Sequence, residues 1–364
     1  MNDRHIVALL GRCDSPTDAL EDYCSWLERA LAAKGCALET MRVPWAERGW
    51  IGSLRWLGRQ SAGWQNHWVL VQYTALSWSR RGFPFGLLRV LRMLSKRGAR
   101  CVVVFHDPEA YSGDRFIDHL RRACQRSVMR LAYRSAERSI VTVPLDRVSW
   151  LPHNPTKAVF IPVGANLPEP RVEAQAETPA TPATKTIAVF GVTGGEHILP
   201  EVRDIAYAAN HVAQRLPDLR LVVLGRHSQD AREALTRALD GTRVQLSVLG
   251  LLPAEEVSQT LSRADALLFV RGQLSSQRGS AIAGIACGLP VVGYAGPQTG
   301  FPVTEAGVAL VPQGDREALA GALARVLVDD TYRSQLRERS RRAYQAHFSW
   351  SAIASRYLGV LEHA

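Results

Sequence analysis

The residues best suited to chemistry fall in one segment, LLFVRGQLSSQRGSAIAGIACGLPVVGY, residues 267–294. A buried apolar strand delivers the chain to a loop, Gly272–Gly279, and a helix of small residues starts near Ser280. Gly288 ends that helix, Pro290 follows, and VVGY makes the next strand. The first turn of a helix leaves backbone N–H groups without partners and carries the positive end of the macrodipole. Such a tip is an anion site, and a diphosphate fits it. Ser280 can add a hydroxyl donor, and Arg278 a charge with bidentate geometry. The alanines and Gly284 let the helix lie close to its sheet. The plainer reading is an ordinary strand–helix–strand unit whose serine only caps.

A second candidate is His106. In FHDP it follows the apolar run VVVF, at the carboxyl end of a strand, where open α/β sheets bind ligands. A core or helix-capping histidine is the alternative. Asp107 suits capping or orienting better than proton abstraction. In the first loop, after Gly11, the residues Asp14, Thr17 and Asp18 either cap the next helix or contact a ligand beside Gly11.

These positions depend on a regular scaffold. Short apolar runs alternate with helical patterns of 12 or more residues, which indicates parallel strand–helix–strand units. In the first half the strands are HIVALLG, CALETMRVP, HWVLVQY, ARCVVVFHD, SIVTVP and AVFIPVGAN. Helices are expected at Tyr23–Lys34, Phe85–Arg97 and Phe116–Arg138, and a Trp-rich stretch given no element lies between the second and third strands. The stretch 168–185 has prolines, alanines and threonines with no apolar periodicity, and reads as a linker. Beyond it six further short strands and their helices restart the pattern, the layout of a second doubly wound sheet. The tail from Asp315 is helical and ends in the amphipathic helix Ile353–Leu361.

Bulk properties narrow the class. With 364 residues the chain suits two domains. No run of about 18 apolar residues occurs, so no bilayer span is expected, and the N-terminus has no signal-peptide pattern. The six cysteines show no CxxC pair and no metal spacing, which suits reduced thiols in a cytoplasmic protein. Charge is uneven: residues 1–168 hold 24 Lys and Arg against 14 Asp and Glu, and residues 169–364 hold 20 against 20. The whole surplus of +10 therefore sits in the first half, with eight of the nine tryptophans. Within it, FPFGLLRVLRMLSKRGAR puts Leu87, Leu91 and Leu94 on one side of a helix and Arg89, Arg92 and Lys96 elsewhere. With Trp50, Trp56, Trp64 and Trp78 nearby, this composition suggests docking on an anionic membrane surface. Core leucines and solvated arginines are the alternative. Nothing matches a nucleic-acid-binding motif, so no nucleic-acid partner is expected.

The small-residue helix followed by ACGLPVV resembles the donor-site segment of retaining GT-B glycosyltransferases, the large family that includes bacterial mannosyltransferases and sucrose synthases. Other pieces agree in order: Gly11 after the first strand, FHD, IPVGAN before the linker, FG and LG after two later strands, and FSWSAIASRYL at the end. The run VLVQYTALSWSRRGFPFGLLRVL with VVVFHDPEAY is similar to a subgroup from exopolysaccharide and cell-surface glycan assembly. The resemblance implies an α/β GT-B fold, two Rossmann-like doubly wound domains facing a cleft. Its parts would be an acceptor domain at 1–167, the linker, a nucleotide-sugar domain at 186–345, and a terminal helix, 346–364, packing back toward the first domain.

By the same resemblance the donor is held by Gly191, Thr193, Arg226, Leu252, Gly279 and Ser280, with Arg278 and His106 acting at the reacting centre. Gly11, Asp18 and Tyr73 fall on the acceptor side. The chain departs from the family where two glutamates eight apart precede CGLPVV, since Ser275 and Ala283 stand there. The family's Arg and Lys after the first strand of the second domain are also replaced, by GVTGGEH, which leaves Arg226 and Arg278 as substitute cations. The reaction implied is retaining transfer of a hexosyl group from a nucleoside diphosphate sugar to the hydroxyl of a glycan or lipid-linked acceptor. No Asp-x-Asp motif occurs; no metal or other cofactor is expected, the nucleotide sugar being a co-substrate. A non-catalytic GT-B subunit is the first rival, favoured by the absent glutamates, and a nucleotide-sugar epimerase the second.

Overall fold

The computed structural model describes residues 5–14, 18–168, 184–195 and 198–362. The chain divides into two compact units, Met1–Pro162 with Trp350–Ala364, and Val163–Ser349. The linker expected at 168–185 falls almost wholly outside the described residues, as does Thr17.

The first unit begins with β1 (Ile6–Leu10), α1 (Ala19–Ala32), β2 (Leu38–Arg42) and α2 (Trp45–Gln60). It continues with β3 (Trp68–Tyr73), α3 (Phe85–Lys96), β4 (Arg100–Phe105), α4 (Phe116–Ser135), β5 (Arg138–Val141) and β6 (Ala158–Phe160). The second holds β7 (Lys185–Phe190), α5 (Ile198–Ala213), β8 (Leu219–Leu224), α6 (Arg232–Ala238), β9 (Val244–Gly250) and α7 (Ala254–Ser262). Then follow β10 (Ala266–Gln273), α8 (Gly279–Ala286), β11 (Val291–Ala295), β12 (Val308–Pro312), α9 (Arg316–Val328) and α10 (Asp330–Ala343). The terminal helix α11 (Trp350–Glu362) belongs to the first unit.

Both sheets are parallel, in the orders β2-β1-β3-β4-β5-β6 and β12-β11-β10-β7-β8-β9. Strand order reverses between β1 and β3 in one sheet and between β7 and β10 in the other. Adjacent loops leave on opposite faces at such a point, and a crevice opens beyond the strand carboxyl ends. The central strands are buried on both faces, so Ile6–Leu10 and Trp68–Tyr73 read as continuous apolar runs with no alternation.

Three departures from the sequence expectation have physical causes. The Trp-rich stretch is helical: α2 kinks at Gly49, whose φ of 65° is non-helical, and packs Trp45 and Leu57 inward. Helix α1 starts four residues before its expected position because Asp18 caps it, accepting from the amides of Leu20 and Glu21. On α3, Leu87, Leu91 and Leu94 are core residues, as are Trp64 and Trp78, while Trp50 stacks on Trp45 at 5.2 Å. The membrane-facing assignment of those leucines and of these two tryptophans is therefore corrected. Burying a leucine contributes about 1.5–3 kcal/mol, more than an interfacial position offers that same side chain. Helix α11 completes its unit through a 2.9 Å hydrogen bond between the Tyr357 and Tyr23 hydroxyls, with Trp350 edge-on to Tyr23. All six cysteines are unbridged, and no helix among the described residues is long and apolar enough to cross a membrane.

Candidate functional site

The second unit's reversal point is built from three strand ends. After β7 the chain turns at Gly191, whose φ of +75° favours glycine. The Val192 amide donates to the Arg226 carbonyl at 3.2 Å, which ties this loop to the one after β8. From the other side Arg271, near the end of β10, brings Nη1 to 3.2 Å from where a Cβ on Gly191 would stand. The positive φ is what favours glycine there, and the end of the guanidinium lies close beside it. Arg271 is half-buried, and its Nε is sealed from solvent with no hydrogen-bond partner among the described residues. Burial lowers its pKa; the Glu201 carboxylate opposes this, and the Arg226 charge adds to it.

Glu201 lies in the first turn of α5, is buried, and accepts the Thr193 amide at 2.8 Å. An acid near a helix N-terminus is favoured by the macrodipole. The amide of Thr193, assigned to the donor from sequence, is thus already taken within the unit. Sequence reasoning missed both Glu201 and Arg271. The signal for Arg271 was present: a charged residue directly after LLFV, at a strand carboxyl end. The sequence pattern places the loop from Gly272, whereas β10 runs to Gln273 through an irregularity in its pairing with β11.

Beyond β10 lies α8. Arg278 is its N-cap residue, and its carbonyl accepts the amides of Ala281 and Ile282. The amides of Gly279 and Ser280 take no partner among the described residues. Gly279 is exposed, and a Cβ added there would meet nothing within 4 Å, so the tip is not plugged by side chains. At its other end the helix stops at Gly288, φ +67°. A Cβ on Gly284 would come within 2.5 Å of Leu267, which explains the close approach of α8 to its sheet. The Arg278 guanidinium points back along the loop, its Nη2 3.9 Å from the Cβ position of Gly272. Arg226 and Arg271 thus interact where β7 and β10 meet, and Arg278 caps α8 just beyond the end of β10. Leu252 is half-buried in the loop between β9 and α7. Neither substitute for the family's glutamates offers an exposed polar group: Ser275 and Ala283 are both buried.

In the first unit, the reversal point is covered by its own chain. The Ser77 carbonyl accepts the Arg12 amide at 2.7 Å and stands 2.2 Å from the Cβ position of Gly11, so only glycine fits. Tyr73, 1% exposed, ends β3 with its hydroxyl unpartnered among the described residues, and burial raises its pKa far above the ordinary value. Asp18 is the cap of α1 and the 2.9 Å partner of Arg42, which also holds Glu21 at 2.8 Å. Cys13, Asp18 and Glu21 bring possible metal-ligand atoms within 4.8 Å of each other, but both carboxylates face that guanidinium instead.

His106 follows β4 and is partly exposed. Its Nε2 lies 2.7 Å from Gln72 Oε1, and its ring stands edge-on to Tyr23. The Gln72 amide nitrogen donates to the Leu70 carbonyl, which fixes its oxygen toward the imidazole. Nε2 therefore carries the proton, and Nδ1 is the acceptor. Burial lowers the His106 pKa to about 4, so the ring is neutral at physiological pH.

Residues 189–329 match the family model described as Glycosyl transferases group 1. The chain is similar to the sucrose-phosphate synthase of Thermosynechococcus elongatus, with 19% identity over 99% of this chain and 98% of that one and a TM-score of 0.72. It is also similar to Anabaena HepE in complex with UDP and glucose, with 15% identity over 99% and 100% of the two chains and a TM-score of 0.65. WaaG, a glycosyltransferase involved in lipopolysaccharide biosynthesis, gives 15% identity, coverage of 99% and 100%, and a TM-score of 0.67. No curated protein matches the sequence. The fold is that of the GT-B glycosyltransferases, two Rossmann-like units with parallel sheets. The match to the group 1 glycosyltransferase model lies within the second unit.

Proposed function

We propose that the protein transfers a hexosyl group from a nucleoside diphosphate sugar to an acceptor hydroxyl, with retention of configuration and without a metal. The observation that carries this reading is the open tip of α8, capped by Arg278, in the same unit as the Arg226 and Arg271 cations at the β7/β10 reversal point. The unpartnered amides of Gly279 and Ser280, with arginine side chains on the loops after β8 and β10, match a diphosphate in charge and in hydrogen-bond geometry. The complexes of HepE with UDP and with UDP-glucose support a UDP-sugar as the first donor to test.

In the reaction the bond from the anomeric carbon to the diphosphate oxygen breaks, and its electron pair leaves with the diphosphate. The acceptor oxygen bonds to that carbon, and its proton passes to the departing phosphate oxygen. Charge grows on the diphosphate as this happens. Fixed cations and amides stabilise it without reorganising, and so lower the barrier more than the ground state. His106, neutral with Nδ1 as acceptor, is assigned to a sugar hydroxyl and not to proton transfer. Gly191, Leu252, Gly279 and Ser280 are assigned to the donor, and Gly11 and Tyr73 to the acceptor side. Asp18 is assigned to capping. A lipid-linked or surface-glycan acceptor remains the proposal from the sequence resemblance.

A second reading, a subunit that binds without catalysing, draws on the buried Ser275 and Ala283 in place of carboxylates. Incubation with a panel of nucleotide sugars separates the two. Release of nucleoside diphosphate by transfer or slow hydrolysis supports the transferase. Interconversion of the sugar would instead identify an epimerase. Silence throughout, with no nucleotide binding, leaves the subunit.

A further inference from the structure

The first unit contains an open, cavity-like groove of about 720 Å³ between α2 and α3, lined by Leu54, Arg55, Gly58, Arg59, Met93 and Arg97. These residues belong to the second half of α2 and the end of α3. Helices run back against parallel strands, so the cavity lies toward the amino edge of the sheet, the edge opposite His106 and Gly11. Its shape follows from two glycines. Near the start of α3 the helices touch, because a Cβ on Gly86 would fall 2.0 Å from the Trp50 ring. Farther along, Gly58 offers no side chain, and its Cβ position is 3.8 Å from Met93 Sδ and 3.9 Å from an Arg97 nitrogen. Leu54 and Met93, both half-buried, give the cavity an apolar lining.

The charges around it are one-sided. Arg55, Arg59 and Arg97 are exposed, and among the described residues none forms an ion pair or donates a side-chain hydrogen bond. Residues 45–100 hold ten Lys and Arg, and Glu47 is the one acid. It sits in the first turn of α2, two turns from Arg55. Arg89, Arg92 and Lys96 on α3 are exposed as well. Three guanidinium groups at one opening repel each other, and a bound anion relieves that repulsion. The planar fork of arginine suits phosphate oxygens in particular, and the leucine and methionine suit carbon attached to the phosphate.

We infer that this cavity is a binding site for a phosphate ester carrying an apolar or glyceryl portion, the chemistry shared by an anionic phospholipid headgroup and a soluble glycerol phosphate. The site stands independently of the donor assignment. The test uses the full chain, with vesicles of phosphatidylcholine alone, vesicles containing phosphatidylglycerol, and glycerol 1-phosphate in solution. The cavity variant is Arg55→Gln/Arg59→Gln/Arg97→Gln. A charge-matched control removes the exposed Arg215, Arg220 and Arg243 of the second unit, also as glutamines. Gly58→Leu fills the cavity without changing charge, and circular dichroism checks that each variant folds.

Binding to phosphatidylglycerol vesicles that falls at least about tenfold in the cavity variant, and less than about twofold in the control, identifies a lipid headgroup. Binding of glycerol 1-phosphate with the same pattern, and no preference for anionic vesicles, identifies a soluble ester. In either case Gly58→Leu, where folded, should weaken binding as the triple variant does. Equal losses in the two triple variants would reduce the effect to net charge and overturn the site. So would a wild-type protein that binds neither probe at low salt.

Discussion

Replacing Arg271 with glutamine gives the sharpest test of the donor site. Glutamine keeps hydrogen-bonding capacity and much of the length but removes the charge. In the structure this cation sits half-buried at the reversal point, with Nε sealed and burial working against its charge. Glu201 offsets part of that, but it already accepts the Thr193 amide, and Arg226 adds repulsion. An incoming diphosphate supplies the missing counter-charge. A hydrogen bond to a charged group contributes about 1.5–3 kcal/mol, and every 1.4 kcal/mol is tenfold, so Arg271→Gln should raise the Kd for UDP by about 10- to 150-fold. Calorimetric titration with UDP measures this, with Arg243→Gln, an exposed arginine of the same unit, as the control. The fold should persist, since Arg271 forms no ion pair or hydrogen bond among the described residues whose loss would leave a buried group alone. A folded Arg271→Gln protein that binds UDP within about threefold of wild type would refute the claim that this cation faces the diphosphate.

The same structure sets other outcomes. The His106 pKa of about 4 lies below its ordinary 6.5, so the unfolded chain binds more protons between those values. Its contribution to stability is complete above about pH 6.5 and falls as pH drops to about 4, by about 1–3 kcal/mol for a ring with some exposure; denaturation of His106→Gln should show a flatter profile across that window. Leu91→Ala should cost about 2–5 kcal/mol in urea denaturation while leaving vesicle binding by the folded protein unchanged, because Leu91 is a core residue. A loss of vesicle binding without loss of stability would place that leucine at the membrane instead. Tyr23→Phe should cost about 1–2 kcal/mol, since it leaves the buried Tyr357 hydroxyl alone, and adding Tyr357→Phe should cost less than the two single changes summed.

Much of this protein was determined by sequence alone. Apolar runs of strand length, separated by helical patterns, specify parallel units because such strands are covered on both faces, and this needs no knowledge of which strands pair. Gly288 at the end of α8 and Gly284 against the sheet were legible for the same local reason: one residue type fits the backbone or the space. Helix α2 was not legible, because tryptophans and three glycines hide its period and packing against α3 holds it together.

Charge and exposure were decided by tertiary structure. The leucines of α3 have the spacing of an interfacial helix and of a core helix alike, and only packing against α4, β4 and α2 selects the core. Arg271 and Gly191 are 80 positions apart in sequence, and Arg271 and Arg226 are 45 apart. They come together because strand order reverses between β7 and β10. A linear pattern encodes which residues face inward on each element; which ends of distant elements meet is set by the order in which strands pair, and the electric field at that edge belongs to the assembled sheet.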